Sequence, residues 1–207
     1  MKVGVLTFHG VANYGATMQA YALFDVLKVA GYDVELINYV SGKSSNVVRK
    51  CLYLNPYFAF NIVKQWRTNK FFKKYVKVMQ KRCLTDKDLR QHTHQYHAIV
   101  CGSDEIWNIH LPVQNFDFNY FLEFVNEDIP KISYGASFGY ASSENIGTNT
   151  SRISRSLKSF CAISVRDENS LAIVNSFQIS GVKVLDPTFL CQYSKIISPP
   201  TVKRKYL

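Results

Sequence analysis

Glycines and small polar residues stand directly after five short apolar runs of this sequence, and residues of these types bind anions or sugar hydroxyls. The first group, Asn13, Tyr14 and Gly15, stands where a helix is expected to begin, so backbone N–H groups and the positive end of the helix dipole are offered to a ligand. The spacing matches neither GxGxxG nor a P-loop. A tight turn in which Asn13 caps the helix explains the same residues, so both interpretations stand.

A second polar group, Ser103, Asp104, Trp107 and Asn108, follows the apolar run Ala98–Cys101. In one interpretation, Ser103 and Asp104 hydrogen-bond a sugar on which the Trp107 ring stacks. In the other, a polar residue of this group caps a helix and Trp107 fills the core. The residue types alone do not separate the two.

Arg166 is the strongest single candidate for an anion ligand. It leaves the apolar run Ala162–Val165, and a guanidinium matches a carboxylate or phosphate in a bidentate way. A salt bridge to Asp167 or Asp186 is the alternative. The sequence favours structural roles for the acids themselves, with Asp167 and Glu168 in the first turn of a helix and Asp186 at a strand end.

The histidines offer one candidate for proton transfer. His9 lies in the loop after the first apolar run, although a solvated or capping role is favoured for it. His92, His94 and His97 resemble metal ligands only at first sight, because no cysteine or acidic pattern completes the set. We therefore expect no metal site.

Periodicity predicts an α/β protein with an open parallel sheet. Lys2–Phe8 and Asp33–Tyr39 are strand-like, and apolar residues at spacings of three and four predict a helix from Gly15 to Gly31 between them. Ligands bind beyond the carboxyl ends of parallel strands, so the polar groups are expected at one edge of the sheet. Strand–helix turns contain such residues in any case, which is the alternative explanation. Further strands are predicted at Ala98–Cys101, Lys131–Ala136, Ala162–Val165 and Val182–Leu185, and further helices at about 150–160 and 167–176.

Composition excludes several classes of protein. The 207 residues are 47% apolar and 19% charged, which suits a folded domain and excludes wholesale disorder. No apolar run reaches the length of about eighteen residues that a membrane span needs, and Val3–Phe8 is a poor secretory signal. Five widely spaced cysteines without a CxxC pair fit a reduced, cytoplasmic protein.

The net charge of +10 belongs to one segment. Lys43–Arg90 holds thirteen Lys or Arg and two acids, and the remainder, with twelve bases and thirteen acids, is nearly neutral. A solvated lysine face is the default interpretation. An anionic membrane surface or glycan comes second, and nucleic acid third, because aromatic residues at helical spacing favour packing over base stacking. One or two amphipathic helices are indicated by Phe60, Val63, Phe72, Tyr75, Val76 and Met79.

Five stretches of the chain resemble, in the same order, motifs of the polysaccharide pyruvyl transferase family. The resemblance extends over nearly the whole chain. The stretches are TFHGVANYGATMQAYAL (Thr7–Leu23), VCGSDEIWN (Val100–Asn108), KISYGASFG (Lys131–Gly139), ISVRDE (Ile163–Glu168) and VLDPTFL (Val184–Leu190).

This resemblance implies transfer of a pyruvyl group from phosphoenolpyruvate onto two sugar hydroxyls, giving a cyclic ketal and phosphate. It also implies a Rossmann-like lobe of a two-lobed, GT-B-like arrangement, in which the first lobe serves the acceptor. The chemistry needs a general acid for the enol carbon, cations for the carboxylate and phosphate, and a base for the attacking hydroxyl.

Carried over position by position, the resemblance assigns substrate contacts to this lobe. Asn13, Tyr14 and Gly15 would line the first loop, and Arg166 would reach the donor anion. Arg166 and His9 are the weak candidates for catalysis. The acceptor contacts would be Ser103, Asp104, Trp107 and Asn108, with Ser137 and Gly139 shaping the floor of the cleft.

The resemblance leads us to expect an N-terminal lobe at residues 1–198, with a basic helical insertion at 41–95. Residues 199–207 would link it to a second lobe that this chain lacks, and the chain alone would be inactive or nearly so. The expected partners are phosphoenolpyruvate, a glycan or lipid-linked saccharide and the missing lobe, in the cytoplasm or at the inner face of its membrane, without a cofactor or nucleic acid. The alternatives are a GT-B-type glycosyltransferase lobe and a non-enzymatic glycan-binding remnant.

Overall fold

The computed structural model describes residues 1–10, 12–40, 58–109, 117–141 and 146–197. Within these ranges, six parallel strands form one sheet in the order β2-β1-β3-β4-β5-β6, which confirms the Rossmann-like open sheet. The strands are β1 (Lys2–Leu6), β2 (Asp33–Leu36), β3 (Ala98–Cys101), β4 (Lys131–Ala136), β5 (Ala162–Val165) and β6 (Val182–Lys183).

The strand order reverses at β1. The chain passes from β1 to β2 on one side and then crosses back to place β3 on the other side. At such a reversal the connections leave neighbouring strands in opposite directions, which opens a crevice beyond their carboxyl ends. The residues that follow β1 and β3 flank this crevice.

Three of the described helices begin and end close to the predicted positions, and two lie in the basic segment, where one or two helices were predicted without bounds. None of them is both long and apolar enough to cross a bilayer. They are α1 (Tyr14–Val29), α2 (Phe58–Tyr75), α3 (Asp86–Thr93), α4 (Thr150–Lys158) and α5 (Glu168–Ser176).

Side chains alternate along the strands and so build two cores on opposite faces of the sheet. Val3 and Val5 of β1 pack with α1 and α2, in the core that also holds Phe24 and Phe72. Leu6 joins the other core, to which α3, α4 and α5 contribute. The sheet is thereby covered on both faces, as an all-parallel sheet requires.

Helix α1 is buried on nearly all sides, where periodicity predicted one apolar face. From Ala16 to Asp25, every residue except Met18 is buried. The reason is a second layer outside α1: the Tyr21 ring lies 5.4 Å from that of Phe71 on α2 and 6.5 Å from that of Tyr193 near the end of the described chain. The segment 187–197 thus folds back over the helix.

The basic insertion divides into helical and extended parts. Helices α2 and α3 confirm its helical content, but residues 77–83 run beside the end of β2, where the Met79 amide donates to the Leu36 carbonyl and the Cys83 amide to the Asn38 carbonyl. This segment lies along the edge of β2 that faces away from β1, since Leu36 pairs with Val5 of β1 and with Val78. Strand β2 ends at Leu36, before the predicted end at Tyr39.

The prediction that the apolar residues of the insertion pack inward is correct only in part. Phe72, Val76 and Met79 are buried, but Phe60 and Val63 are 63% and 47% exposed. The first half of α2 therefore presents apolar side chains outward. Residues 41–57 of the insertion and the expected linker at 199–207 lie outside the described residues.

Candidate functional site at the carboxyl edge of the sheet

A chain of hydrogen bonds crosses the carboxyl edge from β1 to β6. The Thr7 hydroxyl, after β1, donates to the carbonyl of Ser103 at 2.9 Å. The Ser103 hydroxyl, after β3, donates to the Gly135 carbonyl of β4 at 3.0 Å and lies 3.3 Å from Oδ2 of Asp186. Ser103 itself is fully buried, so it holds the edge together from within.

Arg166 and Asp186 form the charged end of this chain of hydrogen bonds. The guanidinium Nη1 lies 3.2 Å from Oδ2 of Asp186, so of the two salt bridges that the sequence allowed, the structure contains the one to Asp186. Thr188 donates to Oδ1 from its amide at 3.0 Å and from its hydroxyl at 2.6 Å. Burial opposes ionisation of Asp186, but these hydrogen bonds and Arg166 prevail and lower its pKa.

Asp104 is a second carboxylate near the same guanidinium, with the opposite shift. Burial raises its pKa, against the effects of the Glu105 amide and of Arg166. Its φ of 84° lies in the left-handed region that side chains other than glycine rarely adopt. The backbone is held there because the Asp104 carbonyl accepts the Ser137 amide at 3.0 Å.

These two carboxylates differ in what they can do chemically. Asp186 is held ionised and fixes the position of Arg166. Asp104 takes up a proton more readily than an ordinary carboxyl group and can exchange it with a ligand. Two acids whose pKa values are moved apart beside one cation form a site able to bind an anion and transfer a proton.

Trp107 does not offer a stacking surface in this structure. It is fully buried, its ring stacks on Phe121 with 5.2 Å between the centroids, and its indole N–H donates to the Tyr120 carbonyl at 3.0 Å. Of the two alternatives for Trp107, the structure contains the core residue. Asn108 is also buried, and its amide donates to Oε2 of Glu105 at 2.8 Å.

Ser137 and Gly139 shape the turn after β4 through their backbones. The Ser137 hydroxyl is buried and accepts the Gly139 amide at 2.9 Å. Gly139 has a φ of +61°, and a Cβ at this position would clash with the side chain of Asn108. Both residues therefore set the form of the turn after β4, and the Ser137 side chain is buried within it.

The loop after β1 contains the residue that caps α1 and is followed by one exposed aromatic ring. The Asn13 side chain accepts the Ala16 amide at 3.3 Å, which is the helix cap that the sequence allowed. Tyr14 is 50% exposed, and the ammonium group of Lys64 lies 4.6 Å from its ring centroid. Gly15 is exposed beside it. The loop is thus held against α2.

His9 lies in a separate part of the edge, and it is buried where a solvated role was favoured. Its Nδ1 lies 3.0 Å from the Thr7 carbonyl, which can only accept, so Nδ1 carries the proton and Nε2 of the neutral ring is free of one. Burial lowers its pKa, although the bond to Thr7 opposes this. The neutral ring is therefore the form at neutral pH.

A cavity of about 640 Å³ opens beside His9. Its wall is made by the residues after β2, by α2 and by the residues that follow α2, and among the described residues no acidic side chain lines it. Carboxamides and two ammonium groups are the chemistry it offers, which suits hydroxyls and a negative charge. Its polar lining residues include His9, Asn38, Asn69, Lys73, Lys77 and Gln80.

The cavity and the Arg166 end are two regions of one edge. Three strand spacings separate β1, after which His9 lies, from β5, after which Arg166 lies. At about 4.8 Å for each spacing, this is about 14 Å. A ligand in contact with both strand ends would have to span this backbone separation.

Sequence reasoning missed Thr7, Gln19 and Thr188. Gln19 is buried, and its amide donates to the Thr7 hydroxyl and to the carbonyls of Phe8 and Ala16, which fixes the loop after β1. The sequence did contain a signal for Gln19, because this polar residue follows Ala16 of the predicted apolar helix face by three positions. The sequence placed the residues after β6 at the same edge of the sheet as Ser103, but no spacing indicated that Asp186 contacts Ser103.

The fold and the edge define a Rossmann-like α/β protein in which one guanidinium and two carboxylates lie together at the carboxyl ends of the strands. Residues 13–207 match the model of the polysaccharide pyruvyl transferase family, and the chain belongs to this family. A search of curated proteins and a search of solved structures each gave no significant match.

Proposed function

We propose that this chain takes part in transferring a pyruvyl group from phosphoenolpyruvate to two hydroxyls of a saccharide of a cell-surface polysaccharide precursor. In this reaction C3 of the enol gains a proton, both hydroxyl oxygens bond to C2, and the bond from C2 to the phosphate oxygen breaks. Of the two hydroxyl protons, one balances that taken up by C3 and the other leaves with phosphate. The match of residues 13–207 to the family carries the proposal.

In this proposal Arg166 binds an anionic group of the donor. Its side chain is 30% exposed, and only Nη1 is engaged with Asp186, which leaves further N–H donors for a ligand. Ionised Asp186 keeps the guanidinium in place. This arrangement supports binding of a carboxylate or phosphate at the edge.

Asp104 is the proposed proton donor to the enol carbon. Burial raises its pKa, so more of it is protonated near neutral pH than for an ordinary carboxyl group. It lies within electrostatic reach of Arg166, which would bring the donor to it. The ionised form that remains can accept a proton from the attacking hydroxyl.

The cavity beside His9 is the proposed site for sugar units next to the reacting one. Asn38, Asn69 and Gln80 can hydrogen-bond hydroxyls, and Nε2 of His9 can accept from one. About 14 Å separates the ends of the strands after which His9 and Arg166 lie, and this backbone separation supports different roles for the two residues. We therefore propose a binding role for His9. The proposed location of the reaction is the cytoplasm, where a lipid-linked precursor would be the acceptor.

We do not expect this chain alone to turn over phosphoenolpyruvate, because the described edge offers too little positive charge for the two anionic groups of this donor. Phosphoenolpyruvate carries a carboxylate and a phosphate, whereas Arg166 in the described carboxyl edge is already paired with the negative charge of Asp186. The chain should therefore bind the donor more readily than consume it. Phosphate release from phosphoenolpyruvate that scales with protein concentration would contradict this.

Thermal unfolding with and without millimolar phosphoenolpyruvate tests the binding. A ligand at ten times its Kd should raise the midpoint by about 3–6 °C, because it binds only the folded state. Arg166→Ala should abolish the rise, Arg166→Lys should keep part of it, and Arg155→Ala, at an exposed position on α4, should leave it unchanged. No shift in the unmodified protein, or an equal shift in Arg166→Ala, would overturn the donor role, and a shift with nucleotide sugars alone would favour a glycosyltransferase.

A further inference from the structure

Helix α2 has an outward face that changes in character along its length. In its first half, four large apolar side chains are exposed; in its second half, the exposed positions carry lysines. Phe72 and the half-buried Phe71 and Tyr75 turn the opposite face onto α1. The exposed apolar residues are Phe60 (63%), Ile62 (48%), Val63 (47%) and Trp66 (60%).

The charge of this helix has one sign. It carries five basic residues and no acidic one, which are Lys64, Arg67, Lys70, Lys73 and Lys74. On a helix, the side chains of positions 62, 63, 66, 70 and 73 share one face. Apolar residues, a tryptophan and lysines on one exposed face match a helix that lies in a membrane interface, with its aromatic ring at the level of the lipid headgroups.

We propose that the outward face of α2 binds the surface of a membrane that contains anionic lipids. The apolar side chains enter the headgroup region, and the lysines bind lipid phosphates. The helix lies parallel to the membrane, because its opposite face is packed on α1 and five charges exclude a spanning orientation. This inference goes beyond the proposed reaction and does not depend on it.

The geometry also places the cavity close to that membrane. Asn69, Phe72 and Lys73 of α2 line the cavity, and the Gln65 amide donates to the Gly10 carbonyl of the first loop at 2.6 Å. A helix attached to the lipid surface would therefore hold the cavity mouth near it. A saccharide carried on a lipid would need to travel only a short way.

The two tryptophans of the chain allow a direct test, because they differ in exposure. Trp66 is 60% exposed and Trp107 is fully buried, so a change in tryptophan emission on binding reports Trp66. We expect a blue shift with vesicles of phosphatidylcholine and phosphatidylglycerol at 7:3, and quenching by brominated lipids in them. Pure phosphatidylcholine vesicles should bind far less, and salt should weaken binding to the anionic ones.

Co-sedimentation of variants with the same vesicles tests whether the protein binds through the outward face of α2. Trp66→Ser should weaken the partition constant by at least about 10-fold. Tyr140→Ser is the matched control, since Tyr140 is 91% exposed in the loop after β4, and it should have no effect. Replacing Lys70 and Lys74 by Gln should cost about 5-fold for each charge, so about 25-fold together, whereas Arg155→Gln with Lys158→Gln on α4 should leave binding unchanged.

Three outcomes would overturn the proposal. One is the absence of binding to anionic vesicles at low salt. Another is binding that Trp66→Ser and the lysine variants leave unaltered, which would assign it to a different surface. The last is a blue shift that grows with protein concentration without vesicles, which would make a second copy of the chain the occupant of this face.

Discussion

At the scale of single residues, the site depends on two carboxylates that ionise differently beside one guanidinium. Asp186 receives two hydrogen bonds from Thr188 and a salt bridge from Arg166, whereas Asp104 receives one from the Glu105 amide. The difference in partners explains the opposite directions of their pKa shifts. Each direction leads to a measurable dependence on pH.

Asp186→Asn should destabilise the protein at neutral pH and much less in acid. At pH 7 we expect a loss of about 1.5–3 kcal/mol, the usual size for a hydrogen bond to a charged group. A carboxyl whose pKa is lowered on folding stabilises the protein above its ordinary pKa of 3.8, and this contribution is lost as the pH falls through the lower folded value. Urea unfolding at pH 7, 4 and 3 measures it. Asp128→Asn, an exposed control, should change little, and a loss for Asp186→Asn that stays constant down to pH 3 would contradict the assignment.

His9 should make the protein less stable below about pH 6.5. Burial lowers its pKa from 6.5, so the unfolded chain takes up a proton that the folded chain resists. Stability is therefore complete above pH 6.5 and declines as the pH falls toward the folded pKa. Urea unfolding between pH 7.5 and 5 should give a flatter profile for His9→Gln than for the unmodified protein. The exposed His94→Gln should keep the original slope, and equal slopes in all three proteins would contradict the prediction.

The sequence predicts residue roles well where the partner is local. Asn13 caps a helix, as the sequence allowed, because it accepts an amide three residues ahead. Asp167 was expected in the first turn of its helix, and it instead caps that helix with the same spacing. It cannot choose between Asp167 and Asp186 as the partner of Arg166, because Asp186 comes from a strand twenty residues on. The burial of Trp107 depends on Phe121 and Phe138, and no local signal announces it.

At the scale of elements, α2 contains an uncompensated polar group in its packed face. The Thr68 side chain is 2% exposed, and its hydroxyl has no hydrogen-bond partner among the described residues. Such a group loses its bond to water on folding and gains nothing in return. The packing of α1 against α2 outweighs this cost.

Thr68→Val should therefore stabilise the protein. Valine has the same shape and no hydroxyl, so we expect a gain of about 1 kcal/mol in the free energy of unfolding. Thr93→Val is the matched comparison, because the equally buried Thr93 hydroxyl donates to the Leu89 carbonyl. That change should cost about 1 kcal/mol. Chemical denaturation measures the free energy of unfolding of both variants. A lower value for Thr68→Val than for the unmodified protein would show that the Thr68 hydroxyl does make a hydrogen bond.

Element types follow from periodicity, and their ends depend on neighbours in space. Strands β3, β4 and β5 have the predicted bounds, because each apolar run ends at a turn residue. Strands β1 and β2 are shorter than their apolar runs, since burial continues to Phe8 and Tyr39 after the ladder between them has ended. The outward apolar half of α2 was missed because helical spacing does not state which face meets the core.

At the scale of the whole molecule, the last described segment closes the fold. The Tyr193 hydroxyl donates to the Thr188 carbonyl at 2.8 Å, and its ring contacts Tyr21 of α1. Lys195 lies 3.4 Å from Asp25 of the same helix. This segment therefore links the charged end of the edge to the opposite side of the sheet, which no pattern in the sequence predicts.

Tyr193→Ala should loosen this closure without disturbing the sheet. We expect a loss of about 1–2 kcal/mol from the ring contacts and the hydrogen bond. Amide hydrogen exchange should accelerate over residues 184–197 and stay slow in β1, β3 and β4, which lie inside the sheet. Tyr193→Phe, which keeps the ring, should show a smaller effect. Equal acceleration throughout the chain would mean that the segment does not open as a separate unit.

The enclosure of α1 determines how much sequence change the helix tolerates. Because ten consecutive positions, 16–25, are buried apart from Met18, a mutational scan should find loss at nearly every position and no three-to-four-residue rhythm of tolerance. The motif that spans Thr7–Leu23 is thus constrained in large part by packing. Recognition of this motif in other sequences identifies the architecture of the lobe, and it carries little information about which saccharide such a protein binds.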